Sequence, residues 1–360
     1  MNDLTLMIVG GGIIGHMVAW KACLSNPGIT ITLVERNLPG SGASARSAGL
    51  HFPLSRTSAG REYSLRSQQF YQSALRQLPS LPIDMLDLRI HCEAGQEAEL
   101  REAMTAGAGL NRVPELEDGA GALGSHLPVW SATGANRADV RGLVIEIRRM
   151  LAGRLRILDG LQVDSITERR SGVELRTRDG AQLEADRLVL APGPWVFDDA
   201  FRPYTGALGI RVKRVVAFHI EEAVPRTAVD LFFRADAFLM PRLGGGTLFS
   251  FTRNEWDVSP ETSGQGISAA DRAEAEGVLT QLAPALSGRL SGAQAFCDAY
   301  SHDRVPIATV LGDTGRIAFA GAANGSGYRF APVIAERALA ALGLDWDGQA
   351  GASTATVESA

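Results

Sequence analysis

The feature that most constrains this chain is Gly10-Gly11-Gly12-Ile13-Ile14-Gly15, set between an apolar run at 4–9 and an apolar stretch from 13 to about 24. The order reads as buried strand, tight turn and helix. Each glycine of the Gly10-x-Gly12-x-x-Gly15 spacing answers a physical need. Gly10 makes the turn, Gly12 lets a pyrophosphate touch the backbone, and Gly15 lets the helix close on the strand. The first N–H groups of the helix have no partners inside it and face the phosphates. A second strand is expected at 29–34, ending in Glu35, twenty residues after Gly15. A carboxylate there accepts hydrogen bonds from an adenosine ribose and repels a 2′-phosphate. Residues 4–35 therefore read as a β-α-β unit for a dinucleotide other than NADP, with Arg36 as a neighbouring contact.

At 360 residues the chain exceeds what one core usually organises, so two domains are expected. Beyond the first unit, helices are expected at 62–77, 95–106 and 140–151, and strands at 83–92, 155–166, 172–178 and 182–190. The stretch 111–136, rich in Gly, Pro and turn residues, reads as irregular. Strand-like alternation marks 211–220, 231–233, 238–242 and 247–251. A helix at 269–282, a strand at 317–320 and a helix at 332–342 follow. Strands alternating with helices, then antiparallel strands, then a return to α/β indicate a nucleotide domain interrupted by an insert. The expected fold is α/β, or α+β overall. A Rossmann-like domain (1–82, 140–208 and 303–346) carries an antiparallel-sheet substrate domain (83–139 and 209–302). The tail 347–360, rich in Gly, Ala, Ser and Thr, reads as disordered.

A net charge of −5 offers no basic field for nucleic acid or an anionic membrane surface. No apolar run approaches the length of a membrane span. The first residues carry neither a basic n-region nor a cleavage site. Cys23, Cys92 and Cys297 are odd in number and lack metal-ligand spacing. That pattern points to a reducing, cytoplasmic setting without disulfides or zinc. Nothing in the sequence sets an oligomeric state.

Three further segments suit a flavin dinucleotide. The small-residue loop at 40–50 lets backbone run along a second phosphate, with Ser41, Ser44, Ser47, Ala48 and Gly49 as candidate contacts. The segment RLVLAPGPW at 187–195 ends a strand in a tight turn and offers Ala191, Gly193 and Trp195. The segment GAANGSGYRFAP at 321–332 leads glycines into a second helix N-terminus, suited to the partial negative charge of a flavin pyrimidine ring. Gly325, Gly327, Tyr328 and Arg329 are its candidates.

With SARSAGL (44–50), APGPW (191–195), FLMPRLGGG (238–246), SHDRVPI (301–307) and GSGYRFAP (325–332), the chain resembles the D-amino-acid oxidase superfamily over about residues 5–343. The likeness is strongest to the sarcosine oxidase and glycine oxidase branch. It implies FAD in an extended pose, with Val163 as one more contact. It also implies hydride removal from the carbon bearing the amine of a small or N-substituted amino acid. Electrons then pass to O2, giving peroxide and an imine.

Arg329 stands where sarcosine oxidases place a lysine that holds the substrate carboxylate, and a planar guanidinium fork suits that task. Asp298 departs from the family, which has a carboxylate-binding arginine there in glycine oxidases and a tyrosine in sarcosine oxidases. An acid at this place suits an amine, a basic side chain or a solvated turn. Cys297 falls one place after the position of the cysteine that tethers FAD in sarcosine oxidases, where this chain has Phe296. Non-covalent FAD and a buried structural cysteine are therefore expected. His51 is a candidate charge beside the flavin that helps O2 accept electrons. Lys213, in RVKRVVAF (211–218), is a second candidate for that task. His302 and Asp303 read as a turn. Two alternatives stay open: a 2-hydroxy-acid dehydrogenase that passes electrons to a carrier, and a non-catalytic flavin-binding subunit.

Overall fold

The computed structural model describes residues 4–113, 123–221, 226–263 and 266–344. The N-terminal apolar run forms β1 (Thr5–Val9), followed as expected by α1 (Ile13–Ser25) and β2 (Thr30–Val34). The chain continues through β3 (Leu50–His51), α2 (Ser58–Gln77), β4 (Ile83–His91), α3 (Glu97–Ala103), β5 (Asn111–Val113), β6 (Val129–Ala138) and α4 (Val140–Met150). Next come β7 (Leu155–Leu158), β8 (Val163–Glu168), β9 (Val173–Thr177), β10 (Gln182–Ala185), β11 (Arg187–Leu190) and the one-turn α5 (Arg202–Thr205). The insert-like block holds β12 (Arg211–Ile220), β13 (Ala228–Phe232), β14 (Ala237–Pro241), β15 (Thr247–Ser250), α6 (Pro260–Ser263), α7 (Ala269–Leu282) and β16 (Leu290–Tyr300). The described chain closes with β17 (Ile307–Leu311), β18 (Ile317–Gly321) and α8 (Gly327–Ala341).

Two large sheets position the site. The first runs β17-β18-β11-β1-β2-β7, parallel throughout except for β17 at its edge. Its central strands are covered on both faces and so are continuously apolar, as β18 (IAFAG, buried at every residue) shows. Strand order reverses at β1, which has β2 on one side and β11 on the other. Such a reversal opens a crevice at the carboxyl ends of the strands, where α/β sheets bind nucleotides. The second sheet runs β16-β12-β15-β14-β13-β4-β6-β3, with β5 beside β6, and is antiparallel except where β13 meets β4. A small antiparallel sheet, β10-β9-β8, stands apart from both.

Several expectations change. The stretch expected to be irregular holds β5 and the ten-residue β6, while 114–122 lie outside the described residues. Small and polar residues in β6 (VWSATGANRA) mask its alternation. The strand expected at 155–166 divides into β7 in the first sheet and β8 in the small one, turning at Gly160 with φ +71°. Helix α8 begins at Gly327, five residues before the expected start, and contains Pro332. Proline lacks the N–H that would bond four residues back, and the Tyr71 hydroxyl donates to the Tyr328 carbonyl in its place, at 2.6 Å. The expected disordered tail lies outside the described residues. Among the described residues no helix is long and apolar enough to cross a membrane.

Candidate functional site

β1 delivers the glycine turn to the crevice. Gly10 has φ +108°, and a Cβ there would stand 2.1 Å from the Ala191 carbonyl oxygen. Only glycine lets the turn lie against the end of β11. A Cβ on Gly15 would stand 2.0 Å from the Gly10 oxygen, so this glycine seats the helix on the strand. At Gly12 an added Cβ would meet only the Ser44 hydroxyl, at 3.2 Å. The Ser44 hydroxyl in turn accepts from the Ile13 N–H at 2.9 Å. Gly12 itself gives α1 no side-chain cap, so beyond the Ile13 N–H the helix start is open to an anion. The Glu35 carboxylate accepts from the N–H groups of Gly11 at 2.6 Å and Asn37 at 2.8 Å. Arg36 pairs with Asp198 at 3.0 Å and Glu261 at 2.9 Å, and lies 5.0 Å from the Trp195 ring centre.

These groups line a cavity of about 550 Å³ whose walls also include the start of α8. Of the cofactor contacts expected from the sequence, all line it except Gly15 and Ser41. Ser41 instead offers its carbonyl to Arg46. Ser326 supplies no side-chain cap to α8, so a second helix N-terminus opens onto the same cavity. The turn before it is pinned by Asn324, whose Oδ1 accepts from the Ser301 N–H at 3.0 Å. Two uncapped helix starts and a glycine cradle that side chains would fill suit a pyrophosphate and an electron-rich ring.

The second sheet forms the opposing wall. Lys213 on β12 stands directly across from Asp298 on β16. The Asp298 carboxylate accepts from the N–H groups of Ala299 and Gly325, both at 2.9 Å. Burial raises its pKa to about 6 against the opposing pull of those two bonds. The Lys213 ammonium lies 5.1 Å from the ring centres of both Trp256 and Tyr300. Burial lowers its pKa, with Asp236 acting against that shift and Arg304 adding to it. Arg329 donates to the Leu54 carbonyl and to the Ser64 hydroxyl, and its guanidinium stacks 4.0 Å from the Phe52 ring centre. Its Nε has no acceptor among the described residues. Burial brings the Arg329 pKa down to about 9, with Asp236 pulling upward, so it stays charged at neutral pH.

His51 does not reach the cavity. It is fully buried beside Tyr71, and burial followed by the Arg329 charge lowers its pKa to about 3. The ring is neutral at physiological pH, so the charge expected from His51 beside the flavin is not there. Cys297 is buried with Val212 and Ala299, whereas Phe296 lines the cavity. Asp303 makes a local turn, its Oδ1 accepting from the Val305 N–H at 3.0 Å. Asp236, Trp256, Tyr300 and Arg304 also line the cavity and escaped the sequence reading. They come from turns and from β16, whose small residues gave no strand signal. The left-handed backbone of Asp236 (φ +49°) and Arg304 (φ +60°) is likewise invisible in residue types that are not glycine.

Residues 5–342 match the family model described as FAD dependent oxidoreductase. Among solved structures the fold is similar to glycine oxidase from Geobacillus kaustophilus, with TM-score 0.77, 16% identity and 95% of each chain covered. It is also similar to iminodiacetate oxidase from Chelativorans sp. BNC1, with TM-score 0.76, 18% identity and 94% of this chain and 95% of that one covered. L-proline dehydrogenase from P. horikoshii gives TM-score 0.77 and 16% identity over 95% of this chain and 94% of that one. No curated protein matches the chain. With the family model spanning nearly the whole chain and the nucleotide cradle in place, the chain belongs to the FAD-dependent oxidoreductase family of the D-amino-acid oxidase superfamily, and its cofactor is FAD.

Proposed function

We propose that the chain is an oxidase of a small or N-substituted amino acid. It takes hydride from the carbon next to the amine, leaves an imine and passes the electrons to O2. The observation that carries this reading is the shared wall of Arg329 and Asp298 in a cavity continuous with the nucleotide cradle. A buried guanidinium on the cavity wall suits a substrate carboxylate. A carboxylate with a pKa of about 6 suits an amine and can take its proton at Oδ, so that the nitrogen lone pair is free. Bound FAD supplies the hydride acceptor. Phe52, Phe238 and Phe296 on the walls exclude water and restrict how the substrate sits. The names of glycine oxidase and iminodiacetate oxidase record small amino acids and favour the same class.

The proposal includes a discontinuous FAD-binding domain (1–82, 140–208 and 303–346) and a substrate domain (83–139 and 209–302). It also includes a reducing, cytoplasmic setting, in keeping with three buried free thiols. The decisive experiment mixes the holoenzyme anaerobically with amino acids, N-methyl amino acids and 2-hydroxy acids while the visible FAD band is followed. Bleaching by amines, with peroxide on re-aeration, is expected. Bleaching by hydroxy acids alone, or by nothing in the panel, refutes the reading. Arg329→Met should keep FAD and weaken the amino acid by about 2–5 kcal/mol, roughly 30-fold or more. Unchanged turnover in that variant removes the carboxylate clamp.

A further inference from the structure

Lys213 is a buried cation with no ion pair among the described residues, its charge offset only in part by Asp236. The residue is 6% exposed, and neither a hydrogen bond nor an ion pair reaches its ammonium among the described residues. The ring centres of Trp256 and Tyr300 each lie 5.1 Å from its Nζ. Of the other buried cations, Arg329 is hydrogen-bonded to Leu54 and Ser64, and two are matched by carboxylates. Arg214, next to it on β12, bonds both oxygens of Asp271 at 2.8 and 2.9 Å, and Lys21 meets Glu336 at 3.7 Å. The carboxylate that strand register sets opposite Lys213 is Asp298, which accepts from backbone N–H groups and makes no ion pair with the lysine. Asp236 accepts from the Thr252 hydroxyl at 2.9 Å and makes no ion pair with the lysine. Arg304, on the same cavity wall, also lacks an ion pair among the described residues and adds like charge.

A desolvated ammonium without a counter-ion is strongly unfavourable, and aromatic faces offset only part of that. An apolar side chain would fill the same space at less cost. An anion that enters the cavity supplies the missing countercharge.

We infer that Lys213, held between Trp256 and Tyr300, is a second anion subsite that receives a carboxylate carried on the side chain or nitrogen substituent of the substrate. This assignment rests on the amino-acid reading of the cavity and narrows it to substrates with two acidic groups, one for Arg329 and one for Lys213. The subsite is distinct from a role in oxygen reduction, which would leave substrate preference untouched.

The test exploits composition: Lys21 and Lys213 are the only lysines. Holoenzyme labelled with 13C at lysine Cε gives one signal from each, assigned with Lys213→Arg. Acetate should move the Lys213 signal and leave Lys21 in place, while acetamide, its neutral isostere, moves neither. Inorganic phosphate is the third probe; a shift with phosphate but not acetate overturns the carboxylate assignment. A flat acetate titration overturns the subsite itself, and needs no variant to fold. In turnover, Lys213→Met should raise KM for aspartate and glutamate about tenfold or more relative to KM for alanine, with Lys213→Arg recovering part of the loss. An equal loss for alanine, or a loss confined to the reaction of reduced enzyme with O2, refutes the inference. If no amino acid bleaches the flavin, the amine-oxidation reading fails separately, while the acetate titration still decides on Lys213.

Discussion

Asp298 carries an ionisation penalty that pH can expose. Burial holds its folded pKa at about 6, above the roughly 3.9 of an unfolded aspartate. The folded state therefore binds the proton more tightly. Its contribution is fully present below the unfolded pKa and is lost as pH rises through about 6. Asp298→Asn cannot ionise, although it gives up one acceptor for the N–H groups of Ala299 and Gly325. That second effect is independent of pH. The melting temperature of the variant minus that of the wild type should thus become more positive between about pH 4 and pH 7.5. A flat difference would show an ordinary carboxyl. At the same scale, Arg329 and Lys213 differ in how they are held. The guanidinium is anchored to Leu54 and Ser64, whereas the ammonium faces two rings and makes no hydrogen bond among the described residues.

Among the elements, α8 depends on a side chain from α2. The Tyr71 hydroxyl satisfies the carbonyl that Pro332 leaves open, and its ring stacks 4.8 Å from that of Tyr328. Tyr71→Phe keeps the stacking but strands a buried acceptor, which costs about 1–3 kcal/mol. Chemical denaturation of the holoenzyme should show that loss; an unchanged midpoint would mean that water or a helix shift serves the carbonyl. The start of α8 was not legible because a proline near a helix start normally occupies its first turn, and here it sits a turn further in. β1, α1 and β2 were legible because apolar runs and glycine spacing there state the fold locally. In β16 the face toward the core is Ala295, Cys297 and Ala299, too small to register as a hydrophobic alternation. The partners that hide those small side chains lie far away in sequence.

For the whole molecule, the nucleotide end of the site was readable because its contacts follow from one motif and its neighbours. The opposing wall was not, since Asp236, Trp256, Tyr300 and Arg304 meet only through pairing of the second sheet. The order of the first sheet has a consequence for how the protein is made. β1 is flanked by β11, and β11 in turn by β18, while α1 packs against α8. On the ribosome, the sheet that β1 opens must remain incomplete, and α1 without α8, until the last described elements have left the exit tunnel. At roughly 5–20 residues per second, the three hundred or so intervening residues take on the order of 15–60 s. Translation arrest just before residue 317 should give nascent chains that retain no FAD, and arrest beyond α8 should give chains that do. Flavin capture by the shorter chains would mean that the cradle assembles from its first unit alone. Otherwise the early apolar segments wait for their partners through most of synthesis, and the cofactor arrives as the closing event of biogenesis.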